Sequence, residues 1–211
     1  MKPLLMKLYG SSRSPFARKV MLAAHELGLA QQIELVPTTV SVLQADPVLV
    51  QLNPLGQVPT LVLDGGLVIP DSLLICEYLD SVASQPGLFP PGSVRRYEAL
   101  ARHAIGQGMM ETLVKLFGER KRVDDPLQPS YVAAYRQKFH RAVTAMNAVC
   151  GDRAGQAVDI GDLALACALA YADFRFSELS WRTGQPALND WYAAFAQRAA
   201  MRATEFVVPT A

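Results

Sequence analysis

Hydroxyl and cationic side chains crowd residues 9–19, whose sequence is YGSSRSPFARK. Ser14 followed by Pro15 is typical of a helix start, because the serine hydroxyl caps the first turn and proline lacks the N–H that would be unpaired there. The free amides of a helix N-terminus also attract anions, and three nearby cations raise the local potential further: Arg13, Arg18 and Lys19. The segment therefore predicts a helix start and leaves two interpretations open, a plain capped helix and a helix end that binds an anion.

The composition limits the kinds of partner. The chain has 211 residues, enough for one large domain or two ordinary ones, and its 20 Lys and Arg residues nearly balance its 19 Asp and Glu residues. Such a balance is not typical of proteins that recognise duplex DNA or an anionic membrane through charge, so we expect neither nucleic acid nor a membrane as partner. A small anionic ligand is compatible with it.

The sequence patterns suggest neither export or membrane insertion nor a metal site. MKPLLMKLYG is too short an apolar run for a signal peptide, and the other apolar runs are short and interrupted, so we expect a cytoplasmic protein. Cys76, Cys150 and Cys167 have no CxxC spacing and fall in apolar helical contexts, where cysteine behaves as a small hydrophobic residue. The three histidines fall on separate predicted helices. We therefore expect no disulfide and no metal site.

The first part of the chain alternates between strand and helix patterns. LLMKLYG and QIELVPTT are predicted strands, and the helix between them has a predicted apolar face at Val20, Met21, Ala24 and Leu27. Because this connection is too long for a hairpin, we expect the two strands to be parallel. VPTLVLDGGLVIPDS predicts a hairpin around DGG, and DSLLICEYLDSVA predicts another helix. With a short helix before the hairpin, the order is βαβαββα, an α/β domain.

A stretch rich in proline and glycine divides the chain. Residues 84–92, SQPGLFPPG, discourage regular structure and are typical of a linker. Beyond it, Asp159 and Asp162 form a variant capping box ahead of a long apolar run, which predicts a buried helix. The predicted domains are 1–83 and an all-α domain, 93–211. The helical patterns of the second domain cover about residues 93–120, 129–150, 160–176 and 188–198.

Four motifs follow one another along the chain: SPFARK, NPLGQVPTLV (53–62), PDSLLICEYL (70–79) and VDIGDLALA (158–166). DFRFSELSWRTGQPAL, residues 173–188, is a further, approximate match. In this order, and with the two-domain pattern, they resemble the cytosolic glutathione transferases, especially bacterial members with an SPF motif. The resemblance covers nearly the whole chain. It implies a thioredoxin-like N-terminal domain, an all-α C-terminal domain and a homodimer.

The resemblance implies glutathione as co-substrate, a tripeptide with a thiol and a zwitterionic γ-glutamyl end. In the family pattern the peptide bond before Pro59 is cis, and the backbone of Val58 pairs with the cysteinyl unit. Asp71 accepts hydrogen bonds from the ammonium group, Ser72 and the following amides hold the carboxylate, and Phe16 belongs to the same site. From the residues alone, an ordinary helix cap is the favoured interpretation of Asp71 and Ser72, and only the resemblance reverses it; Pro59 also fits an edge-strand proline.

The thiol of glutathione must be activated, because a thiol with a pKa of about 8.5 is mostly protonated at neutral pH. One hydrogen bond to sulfur together with a helix N-terminus lowers this pKa by about 2 units. The family pattern makes Ser14 the first candidate, Ser12 the second and Tyr9 the third. Because a serine cannot form the mixed disulfide that thiol transfer requires, we expect conjugation or peroxide reduction instead.

The second substrate is expected to be a small apolar electrophile bound by the helical domain. Met109, Met110, Leu113 and Trp181 supply flexible and aromatic side chains that suit such a pocket, and their helical spacing also fits core residues. Two other functions share the predicted glutathione site. They are a non-catalytic glutathione-binding or regulatory module and a glutathione-dependent dehalogenase or isomerase.

Overall fold

The described residues form two compact units. The computed structural model describes residues 5–41, 43–153 and 155–207. The first unit contains the chain up to Phe89 and the residues from Ala200 onward, and the second runs from Pro90 to Ala199. Residues 200–207 thus group with the first unit, whereas the predicted division assigned all of 93–211 to the helical domain.

A four-stranded mixed sheet lies at the centre of the first unit. Its strands are β1 (Met6–Gly10), β2 (Ile33–Pro37), β3 (Thr60–Val62) and β4 (Val68–Pro70). They lie side by side in the order β2-β1-β3-β4. β2 is parallel to β1, as predicted, whereas β3 is antiparallel to both β1 and β4. The predicted hairpin is confirmed, because the DGG sequence connects β3 and β4.

In the described part of the first unit up to Phe89 there are three α-helices: α1 (Pro15–Glu26), α2 (Pro47–Leu52) and α3 (Ser72–Val82). The order βαβαββα and the thioredoxin-like fold are therefore confirmed. Each helix begins after a polar residue whose side chain accepts hydrogen bonds from amides of the first turn, namely Ser14, Asp46 and Asp71. The sequence thus determines where these helices start.

The buried surface of α1 is wider than the predicted apolar face. Val20 and Ala24 are fully buried as predicted, but Met21 and Leu27 are only half-buried. Arg18 is buried even though it is charged. The reason is that α1 packs against α3 and also contacts the end of the chain. A single apolar face therefore does not predict which residues of α1 are buried.

One arginine attaches the C-terminal segment, residues 200–207, to α1. Arg18 donates a hydrogen bond to the backbone oxygen of Met201 at 3.1 Å and a long one to Thr204 Oγ1 at 3.5 Å. Its guanidinium carbon lies 4.5 Å from the centre of the Phe206 ring. These contacts explain why the C-terminal segment groups with the first unit.

The described residues of the second unit are mainly helical, which confirms the predicted all-α character. Its helices are α4 (Ser93–Glu119), α5 (Gln128–Cys150), α6 (Ile160–Arg175) and α7 (Pro186–Phe195), and α8 (Ala199–Ala203) then leads into the C-terminal segment. Within residues 5–41, 43–153 and 155–207, none of the helices combines the length and apolarity that crossing a bilayer requires.

A glycine allows α4 and α6 to approach closely. A Cβ atom added to Gly106 would lie 2.7 Å from backbone atoms of Ala164 and of Leu165. Gly106→Ala is therefore expected to lower the free energy of unfolding by about 1 to 3 kcal/mol. Gly108→Ala, in the same helix, meets no atom within 4 Å and is expected to raise it by up to about 1 kcal/mol. Urea denaturation measures both; equal changes would contradict the close packing.

A buried ionic network fixes the start of α6. Asp159 caps the helix, and the carboxylate of Asp162 accepts a hydrogen bond from the Asp159 amide at 3.0 Å, which confirms the predicted capping box. The Nε–H of Arg153 donates a hydrogen bond to Asp162 at 3.1 Å. Both Arg153 and Arg102, which lies in α4, form ion pairs with Asp159. Burial raises the pKa of Asp162, and Arg153 opposes that shift. The network links α4 to the start of α6.

The three cysteines are buried in the structure and are not joined in disulfides. Cys76 and Cys167 are fully buried, and Cys150 is exposed by only 1%. Burial raises the pKa of the Cys150 thiol to about 12. This thiol is therefore protonated at neutral pH and is not a nucleophile.

Candidate functional site

The strand register brings three sequence motifs to one end of the sheet. Tyr9 pairs with Thr60, and Thr60 in turn pairs with Pro70. Because both pairings are antiparallel, the residues that follow β1, precede β3 and follow β4 lie at the same end of the sheet. Those residues are the turn before α1, the Val58–Pro59 peptide and the start of α3.

Ser14 stands at the N-terminus of α1 and caps it. Its Oγ accepts a hydrogen bond from the Ala17 amide at 3.3 Å, and its own amide donates to the Ser11 oxygen at 2.9 Å. Ser14 is half-buried, whereas Ser12, in the turn between Ser11 and Ser14, is exposed. A hydroxyl has one donor and two acceptor positions, so Ser14 can cap the helix and still donate its O–H to an anion. The unpaired amides of the first turn favour an anion at the same position.

A buried asparagine holds the loop before β3. The side-chain amide of Asn53 donates to the Gln57 oxygen at 3.2 Å and to Thr60 Oγ1 at 3.1 Å, and its Oδ1 accepts from the Leu55 amide at 3.1 Å. The Thr60 hydroxyl donates to the Gln57 oxygen at 2.9 Å. Asn53 and Thr60 are both buried, so the loop that carries the cis Val58–Pro59 peptide is fixed from inside. Sequence reasoning missed this role, for which an asparagine before a proline was the available signal.

Asp71 caps α3 and has a positive φ of 68°, which Asp and Asn adopt more readily than most residues. Its Oδ1 accepts hydrogen bonds from the amides of Leu73 at 2.8 Å and Leu74 at 3.2 Å, and the residue is exposed. Ser72, the first residue of α3, is only 2% exposed. The start of α3 therefore offers a carboxylate to a cation and, beside it, the amides of a helix N-terminus to an anion.

The remaining predicted residues of this region differ in placement. Phe16 is half-buried in the first turn of α1, and Tyr9 is half-buried in β1. Arg13 is exposed, so solvent screens its charge, whereas Arg18 is buried and contacts the C-terminal segment. Among the residues that the structure describes, no group of three or more His, Cys, Asp and Glu side chains could hold a metal ion.

Two sequence profiles and a solved structure match the chain. Residues 13–82 match the glutathione S-transferase N-terminal domain, and residues 129–194 match the glutathione S-transferase C-terminal domain. A glutathione transferase family member from Pseudomonas fluorescens Pf-5, crystallised with bound glutathione, is 34% identical. It aligns over 96% of this chain and 100% of its own length, with a TM-score of 0.90. The chain belongs to the glutathione S-transferase family.

Three further relatives match the chain over different lengths. The uncharacterized GST-like protein YibF from Escherichia coli (strain K12) is 29% identical over 87% of this chain and 90% of its own. Glutathione S-transferase Z2 from Arabidopsis thaliana is 41% identical over 40% of this chain and 37% of its own. The Stringent starvation protein A homolog from Pasteurella multocida (strain Pm70) is 36% identical over 45% of this chain and 42% of its own.

The residues predicted to line the electrophile pocket of this glutathione S-transferase family member lie in its second unit. Met109, Met110, Leu113 and Trp181 are exposed by 1%, 0%, 0% and 2%. Trp181 also donates its ring N–H to Asp173 at 2.8 Å. Side chains this buried behave as core residues. The electrophile pocket stays a prediction, and the burial of all four residues does not favour it.

Proposed function

We propose that this chain binds glutathione at the end of the sheet where the Ser14 turn, Val58 and the start of α3 meet. The observation that carries the proposal is the strand register, in which Tyr9 pairs with Thr60 and Thr60 pairs with Pro70. The glutathione bound to the 34% identical family member supports the same ligand here.

The two charges of the γ-glutamyl group suit the start of α3. The exposed Asp71 carboxylate accepts hydrogen bonds from the ammonium group, while its Oδ1 also serves the helix cap. The Ser72 hydroxyl and the first amides of α3 hold the carboxylate. Val58 precedes the paired part of β3, and its backbone groups pair with the extended cysteinyl unit as an added strand does.

The thiol lies at the start of α1 in this proposal. Ser14 donates its O–H to the sulfur and keeps the hydrogen bond from the Ala17 amide. A hydrogen bond to a charged group contributes about 1.5 to 3 kcal/mol, and a helix N-terminus about 0.3 to 1 kcal/mol more. Together they lower the thiol pKa from about 8.5 by about 1 to 3 units, so the thiolate is well populated at neutral pH.

The proposed reaction transfers the glutathionyl group to a small apolar electrophile. The thiolate sulfur uses its electron pair to form the new bond to carbon, and the leaving group departs with the electrons of the bond that breaks. Because Ser14 cannot form a mixed disulfide, conjugation and peroxide reduction are favoured over thiol transfer. The family resemblance extends the proposal to a cytoplasmic homodimer that acts in detoxification.

A binding or regulatory module without turnover is the second candidate. It is favoured by the match to the Stringent starvation protein A homolog, whose name states no transfer reaction. An assay with glutathione and a chlorinated nitroaromatic distinguishes the two, because binding without turnover supports the module. Identification of the products formed from halogenated aromatics and cis-enoic acids distinguishes a dehalogenase or isomerase.

Asp71→Asn tests where the γ-glutamyl end binds. Asparagine keeps the side-chain oxygen that caps α3 and tolerates the positive φ of this residue, so the substitution mainly removes the charge. Loss of one charge-assisted hydrogen bond corresponds to about a 10- to 100-fold increase in the dissociation constant for glutathione. Isothermal titration calorimetry measures this constant.

The matched control is Asp64→Asn. Asp64 is also exposed, but it lies in the hairpin between β3 and β4, at the opposite end of these strands from Asp71. We expect this variant to bind glutathione as the parent protein does. Equal affinities of the Asp71 and Asp64 variants would contradict the proposed binding of the ammonium group.

A further inference from the structure

Arg18 is a buried cation, and the contacts that its side chain makes with the described residues are uncharged. Only 7% of the residue is exposed. Within the described parts of the chain its contacts are the Met201 oxygen, the Thr204 hydroxyl and the face of the Phe206 ring, none of which carries a charge. Burying a guanidinium without an anionic partner is costly, so an anion bound nearby would be strongly favoured.

The position of Arg18 relates it to the start of α1. Its amide donates to the Ser14 oxygen at 3.0 Å, so Arg18 lies one helical turn beyond the cap. Four residues advance a helix by about 6 Å, and side chains at this spacing share one face. Helical side chains also lean toward the N-terminus, which brings the guanidinium closer to the first turn than its Cα atom is.

We infer that Arg18, held in place by the C-terminal segment, is a positioning residue that lowers the thiol pKa of glutathione bound at the Ser14 turn. The inference rests on the proposed function. The thiol proton leaves the sulfur for solvent water, and the thiolate that remains is the anion that balances the buried guanidinium. Its field acts in a region that the C-terminal segment shields from water, where charges interact more strongly than at an exposed surface.

Other charged groups on α1, α3 and the C-terminal segment differ from Arg18 in their exposure, their hydrogen bonds or their position on the helix. Asp80 of α3 is buried, but its carboxylate accepts hydrogen bonds from the amides of Gly87 and Leu88 at 2.8 Å and 2.9 Å. Lys19 is fully buried, but as the residue next to Arg18 in α1 it leaves the helix on a different face. The exposed charges of these elements and of the preceding turn, which solvent screens, are Arg13, Glu77, Arg202 and Glu205.

The test is the thiol pKa of bound glutathione, followed by the ultraviolet absorbance of the thiolate as pH is varied. Arg18→Met is expected to raise this pKa by about 1 unit, because it removes the charge and keeps a long side chain. Arg18→Lys is expected to restore most of the shift, since it keeps the charge. Arg202→Met, the same type of charge removal at an exposed residue of the C-terminal segment, is expected to leave the pKa unchanged.

Phe206→Ala tests the part played by the C-terminal segment while leaving the charge of Arg18 in place. Removing the ring admits water to the guanidinium, so the thiol pKa is expected to rise by less than in Arg18→Met. This variant also keeps the inference testable if Arg18→Met does not fold. An unchanged thiol pKa in Phe206→Ala would overturn the role of the segment.

The outcomes separate this inference from the proposed function. A parent protein that binds no glutathione, or binds it with an unshifted thiol pKa, overturns both. A lowered pKa in the parent that persists in Arg18→Met overturns the role of Arg18 alone. If the thiol pKa rises equally in Arg18→Met and Arg18→Lys, the shape of the Arg18 side chain is responsible and its charge is not. That result also overturns the proposed role of Arg18.

Discussion

Ser14→Ala is expected to raise the pKa of the bound glutathione thiol by about 1 to 2 units. The substitution removes the O–H that we propose donates to the sulfur, a hydrogen bond of about 1.5 to 3 kcal/mol when the acceptor is charged. At neutral pH the thiolate fraction, and with it the rate of conjugation, falls by about 10-fold. Thiolate absorbance as a function of pH measures the first effect, and turnover of a chlorinated nitroaromatic measures the second.

Two variants control for the cap that Ser14 also forms. Because Ser14 Oγ accepts from the Ala17 amide, its loss also lowers the free energy of unfolding by about 1 kcal/mol. Ser14→Thr keeps both the cap and the O–H and is expected to keep the lowered thiol pKa. Ser12→Ala removes an exposed hydroxyl of the same turn and is expected to change neither quantity. A raised thiol pKa in Ser12→Ala with none in Ser14→Ala would assign the activation to Ser12.

Arg153→Met is expected to lower the free energy of unfolding by about 3 to 5 kcal/mol. Asp162 and Asp159 are buried, and Arg153 pairs with both of them. Without Arg153, Asp162 loses its two guanidinium hydrogen bonds while it stays buried, and leaving a buried charge uncompensated is strongly destabilising. Urea denaturation followed by circular dichroism measures the change.

Arg182→Met is the matched control for Arg153→Met. Arg182 pairs with Asp173 through two hydrogen bonds of 2.7 Å and 2.8 Å, but their side chains are 47% and 34% exposed. Exposed pairs contribute about 0 to 1 kcal/mol, so this variant is expected to be nearly as stable as the parent. Similar losses in the two variants would contradict the importance of burial in the network at the start of α6.

Local chemistry made the elements of the chain predictable. Ser14, Asp71 and Asp159 each mark a helix start in the sequence, and each caps a helix in the structure. The DGG sequence marks the hairpin, and the long helical connection between the first two strands favours the parallel pairing that the structure shows. These features depend on residues close together in the chain, which is why sequence patterns identify them.

Contacts between distant residues were not predictable in the same way. Arg18 and Met201 are joined by a hydrogen bond although they are far apart in the sequence, and the helical pattern near the end of the chain gives no sign of it. The helical spacing of Met109 and Met110 favours core residues and also permits a pocket, and the structure shows that both are buried. Which side of a helix is buried depends on tertiary packing, and inspection of a single sequence does not reveal that packing.

The candidate site combines both cases. The motifs around Ser14, Val58 and Asp71 could be identified singly from the sequence, but their meeting at one end of the sheet follows from the strand register. The Asn53 side chain, which holds the loop before β3, had no assigned role because its partners, Gln57 and Thr60, are determined by the loop conformation. The structure thus adds the relation between segments that the sequence identifies one at a time.

A crystal structure of this protein with glutathione tests the central claim most directly. We expect the sulfur within hydrogen-bonding distance of Ser14 Oγ, the ammonium group at the Asp71 carboxylate, and the cysteinyl backbone paired with Val58. Glutathione bound with its sulfur away from the Ser14 turn, or crystals that take up no glutathione at millimolar supply, would contradict the claim.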